Sequence, residues 1–141
     1  MGDNIMYILK IEDHFDSAHF LKGYKGKCAN IHGHRWKIEI EIQSSELIDG
    51  MVEDFTVLKM SIKDIIRFYD HALIIEKGSL RDLTLNCLKE DGFRIIELDF
   101  KPTAENFSKL FYDEISKLNY NVKKVTVYET PNNCASYTEE V

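Results

Sequence analysis

The clearest hydrophobic pattern in the chain is a strict alternation over residues 36–42. Its apolar positions are Trp36, Ile38, Ile40 and Ile42. A period of two is typical of a β-strand with one buried face. Residues 5–11 also suit a strand, which we expect to continue to His19. By alternation, His19 lies on the same face of that strand as its apolar residues. If the second strand is extended backwards, His34 and His32 lie on the same face as its apolar residues. Imidazoles on an inward face need a partner, so the pattern suggests that something binds them.

Three later segments have apolar residues at helical spacing. The first follows Asp54, a suitable N-cap. The second is predicted from an N-cap at Ser79 to Gly92. The third has Thr103 as N-cap and Glu105 in its first turn, where a carboxylate favours the helix dipole.

Short strands are predicted at residues 95–98 and 122–130. The order ββ-α-α-β-α-β predicts a single α+β domain, residues 1–141, with an antiparallel sheet and helices on one face. In the last strand Val125, Val127 and Glu129 share a face. A carboxylate on that buried face needs an arginine, a lysine or a ligand as partner.

Composition narrows the possible partners. The net charge of −6 argues against nucleic acid, and no apolar run is long enough for a bilayer. Three cysteines without a secretion signal indicate reduced thiols, so we expect a cytoplasmic protein. Lys22, Lys25 and Lys27 form a local basic cluster that could steer an anionic small molecule, or could be only a solvated loop.

Residues 28–34 carry the candidate chemistry. His32 and His34 lie two apart and can face one metal, and catalytic zinc commonly has three protein ligands and one open position. His19 is the proposed third ligand, although a core histidine with one hydrogen bond is the alternative. Cys28 remains free for chemistry, or it is the fourth ligand of a closed structural site.

Six motifs, in order, resemble the 6-pyruvoyl-tetrahydropterin synthase family, especially its 6-carboxytetrahydropterin synthase branch. They are FDSAH at 15–19, CANIHGH at 28–34, GMVEDF at 50–55, DHAL at 70–73, PTAEN at 102–106 and YETP at 128–131. The resemblance covers almost the whole chain. The three-residue gap between Cys28 and His32 is shorter than in animal-type members and favours the carboxy branch.

The resemblance implies a tunnelling fold (T-fold), in which sheets close a barrel across the subunits of a homo-oligomer, a trimer or a hexamer. It implies active sites between subunits and Zn²⁺ on His19, His32 and His34. The implied substrate is 7,8-dihydroneopterin triphosphate. The carboxy branch releases acetaldehyde and triphosphate and leaves 6-carboxy-5,6,7,8-tetrahydropterin, used in queuosine and other deazapurine synthesis.

The resemblance also assigns catalytic roles. Cys28 is the implied base, its thiolate favoured by nearby zinc or lysines. Asp70 would orient His71 as a proton relay. Without the motif, Asp70 and His71 would be only the polar end of a helix.

Substrate binding is assigned to three residues. Glu129 can accept two parallel N–H bonds from the edge of the pterin, or it can pair with a lysine. Thr103 and Glu105 lie at a helix start where the family contacts the pterin, and Thr103 is also compatible with a cap alone.

Other functions compete. The same fold could eliminate triphosphate to a pyruvoyl pterin or cleave dihydroneopterin side chains. A non-catalytic, zinc-containing pterin-binding module is the alternative from another class. A metal-dependent hydrolase is disfavoured, since no Asp-His follows His32-Gly33-His34 as in the common His-x-His hydrolases. Residues 74–101 form a longer segment than in compact bacterial members, and its contribution to substrate choice is open.

Overall fold

A computed structural model describes residues 6–139 of the chain. Ile5, where the first strand was predicted to begin, lies outside them. In chain order the elements are β1 (Tyr7–His19), a 3₁₀ turn (Lys27–Ala29), β2 (His32–Ser44), α1 (Phe55–Arg67), β3 (Leu73–Glu76), α2 (Asp82–Glu90), β4 (Ile95–Leu98), α3 (Ala104–Ser116), β5 (Val122–Thr130) and β6 (Asn133–Tyr137). Within the described residues no helix is both long and apolar enough to cross a membrane.

The six strands form one sheet in the order β4-β3-β1-β2-β5-β6. The predicted α+β class is confirmed. Antiparallel pairing holds for β1, β2, β5 and β6, but β3 runs parallel to both β1 and β4, so the sheet is mixed rather than antiparallel throughout. The reason is that α2 carries the chain back between β3 and β4, and such a crossover makes neighbouring strands parallel.

Two strands were absent from the prediction, β3 and β6. β3 has only four residues, Leu-Ile-Ile-Glu, which is too short for alternation to distinguish it from a helix end. β6 reads Asn-Cys-Ala-Ser-Tyr, which contains no β-branched residue. Its strand conformation comes from pairing with β5.

Two of the predicted helix caps are confirmed. Asp54 accepts hydrogen bonds from the backbone N–H groups of Thr56 and Val57, and Thr103 accepts one from Asn106.

The prediction for α2 was wrong at its start. The helix begins at Asp82, with Arg81 rather than Ser79 at the N-cap position. Both the backbone N–H and the hydroxyl of Ser79 donate to the carbonyl of Glu76, which closes a turn after β3. Ser79 therefore belongs to that turn and cannot cap a helix.

The long β1–β2 ladder confirms the predicted parity of both strands. Phe15 lies opposite Trp36, and His19 lies opposite His32. Phe15 and Trp36 are fully buried, with stacked rings whose centroids are 5.8 Å apart. Phe107 of α3 meets the Trp36 ring edge-on at 4.9 Å. α1 packs on β1, α3 packs on β5 and β6, and the two helices touch. The core thus lies between these helices and the face that carries the histidines.

Three strand edges are open, wholly or in part, within residues 6–139: the outer edges of β4 and β6 and most of the β3-facing side of β1. β1 pairs with β3 only through Ala18 and His19, and β6 pairs only with β5. Unpaired edges expose backbone donors and acceptors that can pair with another chain. This architecture is consistent with a barrel that is closed by oligomerisation.

Candidate active site

Three histidines and one carboxylate converge at one end of the sheet. His19 is the last residue of β1, His32 is the first of β2, His34 follows on the same face, and Glu129 lies near the end of β5. One ligand atom from each lies within 4.8 Å of the others. The structure therefore brings together the three predicted metal ligands and adds Glu129 to them.

The hydrogen bonds of two of these rings fix their protonation pattern. Nδ1 of His19 lies 2.7 Å from the carbonyl oxygen of Pro102, and Nδ1 of His32 lies 2.6 Å from that of Asn30. A carbonyl only accepts, so each Nδ1 carries a proton and donates it. In the neutral rings both Nε2 atoms are then bare acceptors, yet they face each other at 3.0 Å. Two lone pairs at this distance repel each other, and either a proton or a metal ion between them removes the repulsion. Carbonyls that orient ligand imidazoles are usual at metal sites.

The third imidazole gives an independent indication. Nε2 of His34 is buried without a hydrogen-bond partner, although it lies 3.2 Å from Oε1 of Glu129. Burial lowers the pKa of His34 and also that of His19, where the neighbouring His32 acts in the same direction. Both effects favour the neutral imidazole, the form that binds metal.

The donor set fits zinc. Three imidazole nitrogens and a carboxylate oxygen are ligands that Zn²⁺ takes, and three protein ligands with an exchangeable fourth position are typical of catalytic zinc. His19, His32 and His34 would hold the ion, while Glu129 could either complete the shell or turn to another ligand. The alternative in which His19 is only a core histidine with one hydrogen bond does not explain its contact with His32.

Cys28 lies in the hairpin loop of residues 20–31, which joins the strands that end in His19 and begin with His32. Its side chain is half-buried in the 3₁₀ turn. The ligand cluster contains Glu129 as its fourth member and does not contain Cys28. In this arrangement the thiol is free, as the catalytic assignment requires. The lysines of the same loop, Lys22, Lys25 and Lys27, are exposed.

Asp70 and His71 form a hydrogen-bonded pair between α1 and β3. Nδ1 of His71 lies 2.9 Å from Oδ2 of Asp70, whose other oxygen accepts the backbone N–H of Asp16 at 2.7 Å. The bond from Asp16 lowers the pKa of Asp70, and the bond from His71 acts in the same direction. Asp70 is thus an anion placed to orient the imidazole. The pair is not part of the histidine cluster of its own chain.

The surroundings of His71 are open. Its side chain is 80% exposed and lies on the rim of a mainly apolar cleft of about 370 Å³, which is also lined by Ile31, Phe93 and Arg94. An imidazole this exposed is accessible to a substrate or a neighbouring subunit.

The predicted substrate-binding residues lie in two places. Glu129 is partly exposed beside His34 and forms no ion pair with a lysine among the described residues. Pairing of β2 with β5 ends at Lys37 and Tyr128, and a cleft of about 570 Å³ opens there against His34 and Glu129.

Thr103 caps α3 directly after Pro102, whose carbonyl orients His19, and Glu105 is exposed in the first turn. The start of α3 is therefore fixed against the histidine cluster, as a substrate contact there requires.

Sequence reasoning missed several supporting contacts. It assigned Glu129 to the pterin, with a basic side chain as the alternative, and not to the histidine cluster, although the inward parity of Glu129 and His34 was already visible in the sequence. No sequence pattern indicated the carbonyls of Asn30 and Pro102 that orient the histidines. Nor did any pattern indicate the ion pair in which Arg35 donates two hydrogen bonds to Asp16, at 2.9 and 3.0 Å.

Comparison with known proteins identifies the family of this chain. The model of the family described as 6-pyruvoyl tetrahydropterin synthase matches residues 8–140. The 6-carboxy-5,6,7,8-tetrahydropterin synthase of Haemophilus influenzae is 30% identical over 95% of this chain and 100% of its own, and that of Aquifex aeolicus is 34% identical over 81% and 77%. A crystal structure of 6-pyruvoyl tetrahydropterin synthase from Plasmodium vivax superimposes with a TM-score of 0.75 at 19% identity, covering 98% of this chain and 100% of that one, and shows the shared fold. The chain belongs to the 6-pyruvoyl tetrahydropterin synthase family of enzymes.

Proposed function

We propose that this enzyme converts 7,8-dihydroneopterin triphosphate to 6-carboxy-5,6,7,8-tetrahydropterin, releasing acetaldehyde and triphosphate. The observation that carries the proposal is the convergence of three imidazoles, two with opposed lone pairs and one with a buried unbonded nitrogen, beside a loop with a free thiol. The choice of product is supported by relatives at 30% and 34% identity that are named for the carboxy compound. The three free cysteines agree with a reducing, cytoplasmic setting for this activity.

His19, His32 and His34 would hold Zn²⁺, and the backbone partners of His19 and His32 keep the Nε2 atoms of these two rings unprotonated. Bound there, the ion would act as a Lewis acid toward side-chain oxygens of the substrate. The buried Trp36 ring packs edge-to-face against both imidazoles, with centroid distances of 4.9 Å to His19 and 5.3 Å to His34. This packing keeps the two imidazoles in place. The protein therefore supplies a rigid, partly dry set of nitrogen donors.

The thiol of Cys28 is the proposed base that removes a proton from the substrate side chain. Its loop is anchored by the hydrogen bond from the Leu21 N–H to the Cys28 carbonyl, at 2.9 Å. Because both ends of this loop are fixed by the pairing of His19 with His32, the thiol is held at the histidine end of the sheet.

Asp70 and His71 are proposed to serve the active site of a neighbouring subunit. In one chain this pair is separate from the histidine cluster, and the imidazole is exposed. His71 would pass a proton to or from the thiol or a substrate oxygen, while Asp70 holds its Nδ1–H. The unpaired edges of β1 and β6 provide the means of bringing subunits together.

Glu129 is proposed to bind the amino-pyrimidinone edge of the pterin through two parallel hydrogen bonds. Its partial exposure at the 570 Å³ cleft is compatible with this role. Thr103 and Glu105, at the start of α3, are proposed to contribute further contacts to the pterin.

The decisive experiment is incubation of the zinc-loaded enzyme with 7,8-dihydroneopterin triphosphate, followed by mass spectrometry of the pterin and enzymatic detection of acetaldehyde. Carboxytetrahydropterin with acetaldehyde supports the proposal. A pyruvoyl pterin without acetaldehyde would instead support triphosphate elimination, the activity for which the Plasmodium vivax structure is named.

A Cys28→Ala variant separates the lyase from a non-catalytic binding module. The lyase should lose turnover and keep both zinc and pterin binding, whereas a binding module would be unaffected. Cys87→Ala is the matched control, because Cys87 is an exposed thiol on α2. Equal turnover in Cys28→Ala and wild type would reject the assignment of Cys28 as base.

A further inference from the structure

The turn between α1 and β3 holds His71 in an unusual backbone conformation. The φ angle of His71 is 54°, in the left-handed region that residues other than glycine seldom occupy. In this conformation the ring is exposed while its Nδ1 still reaches Asp70. Such a backbone persists only where surrounding contacts enforce it.

One set of contacts comes from β1. The His71 N–H donates to the Asp16 carbonyl at 2.6 Å, and the Asp16 N–H donates to the Asp70 carboxylate. The Ser17 hydroxyl donates to the Tyr69 carbonyl. These bonds attach the turn to the strand that ends in His19, but they leave the carbonyls of Phe68 and Asp70 to be satisfied from another direction.

Arg94, at the entrance to β4, satisfies both of these carbonyls. One guanidinium nitrogen donates to the Asp70 carbonyl at 2.9 Å, and the other donates to the carbonyl of Phe68. The guanidinium also lies over the Phe68 ring, 5.1 Å from its centroid. The Arg94 carbonyl accepts the Leu73 N–H at 3.0 Å, so Arg94 holds the chain on both sides of His71.

The chemistry of this position favours arginine. The last carbonyls of a helix have no partner within the helix, and a cation there complements the helix dipole. Two carbonyls two residues apart suit the planar fork of a guanidinium, whereas a lysine presents a single ammonium. Arg94 belongs to the segment of residues 74–101 whose contribution the sequence left open.

We propose that Arg94 is a positioning residue for the Asp70–His71 pair. By bridging the carbonyls of Phe68 and Asp70 it sets the turn in which His71 is left-handed and its Nδ1–H points at the carboxylate. This inference rests on the proposed function for its kinetic consequence, but the positioning itself can be observed without turnover.

The test compares wild type with Arg94→Ala and Arg94→Lys. We expect Arg94→Ala to lower kcat about 100-fold through displacement of His71. KM and zinc content should stay within about twofold of wild type, since no substrate or metal ligand is removed. The pH profile of kcat should also change shape, which a general loss of packing would not cause. Arg81→Ala is the control, since the exposed side chain of Arg81 forms no capping bond on α2.

NMR of the histidine ring nitrogens reports the His71–Asp70 hydrogen bond without any need for enzyme activity. The signals of His71 are identified by comparison with the His71→Asn variant. We expect the NMR signature of the His71–Asp70 hydrogen bond to be lost in Arg94→Ala and to recover partly in Arg94→Lys. If Arg94→Ala does not fold, Arg94→Lys is measured alone, and it should lower kcat and weaken that signature. Unchanged His71 spectra in the variants that fold would overturn the proposal. If wild type does not turn over the pterin triphosphate, the proposed function fails and the spectra alone decide the role of Arg94.

Discussion

Substitution of His34 by alanine tests the metal centre most directly. The buried Nε2 of His34 has no hydrogen-bond partner, and a buried unsatisfied group of this kind costs about 1–3 kcal/mol. Metal binding at the proposed site would remove this cost and would place a cation between the opposed Nε2 atoms of His19 and His32. The wild-type protein should therefore be much more stable with zinc than without it.

The size of the effect follows from linkage. Zinc at about 1,000 times its Kd stabilises the folded state by about 4 kcal/mol. For a chain of 141 residues, at about 4 °C per kcal/mol, the Tm should rise by about 16 °C. In His34→Ala one of three imidazoles is lost, so the same zinc concentration should raise the Tm by less than about 4 °C.

The assay is thermal unfolding of chelator-treated protein with and without zinc, together with the measured zinc content per chain. His14→Ala is the matched control, because His14 lies on the opposite face of β1 and should keep the full zinc shift. A wild-type Tm that does not respond to zinc, or an undiminished shift in His34→Ala, would refute the three-imidazole site.

Three further outcomes are expected. Glu129→Gln should weaken pterin binding by about 10- to 100-fold, since hydrogen bonds to a charged group are lost, and fluorescence titration would contradict this role if the affinity were unchanged. Phe107→Ala, at a fully buried position against Phe15 and Trp36, should lower the free energy of unfolding in urea by about 3–5 kcal/mol, and a loss below about 1 kcal/mol would contradict the described packing. The pKa of Asp70 is lowered by its hydrogen bonds from Asp16 and His71. Its carboxylate therefore stabilises the fold at pH values above the pKa that Asp70 has in the unfolded chain, and this contribution disappears as the pH falls through its lower pKa in the folded protein. Urea unfolding at several pH values should therefore show wild type and Asp70→Asn differing at about pH 7 and converging toward about pH 2, whereas a difference independent of pH would contradict the assignment.

The site was predictable where it depended on strand parity. Alternation over residues 36–42 placed His32 and His34 on the inward face, and the same reasoning placed His19 there. The sequence could not show that His19 lies opposite His32, since register is set by the whole β1–β2 ladder. It also could not show the tautomers, which depend on the carbonyls of Asn30 and Pro102.

The fold was less predictable around α2. β3 and β4 are four residues each, and their parallel pairing is imposed by the crossover rather than by local propensity. The N-cap position of α2 carries Arg81, a residue type that is not preferred there, so no capping signal marked its start. Arg94 had no sequence signature because its two acceptors are backbone carbonyls.

In the hairpin of β1 and β2, the spacing of the histidines and the position of Cys28 depend on different parts of the chain. The distance between His19 and His32 is set by the pairing of β1 with β2, so insertions or deletions within residues 20–31 should leave that distance unchanged. Cys28 lies inside the same loop, so a change in loop length would move its thiol relative to the histidines. If the proposed function holds, the length of this loop would therefore set the position of the base independently of the three imidazoles.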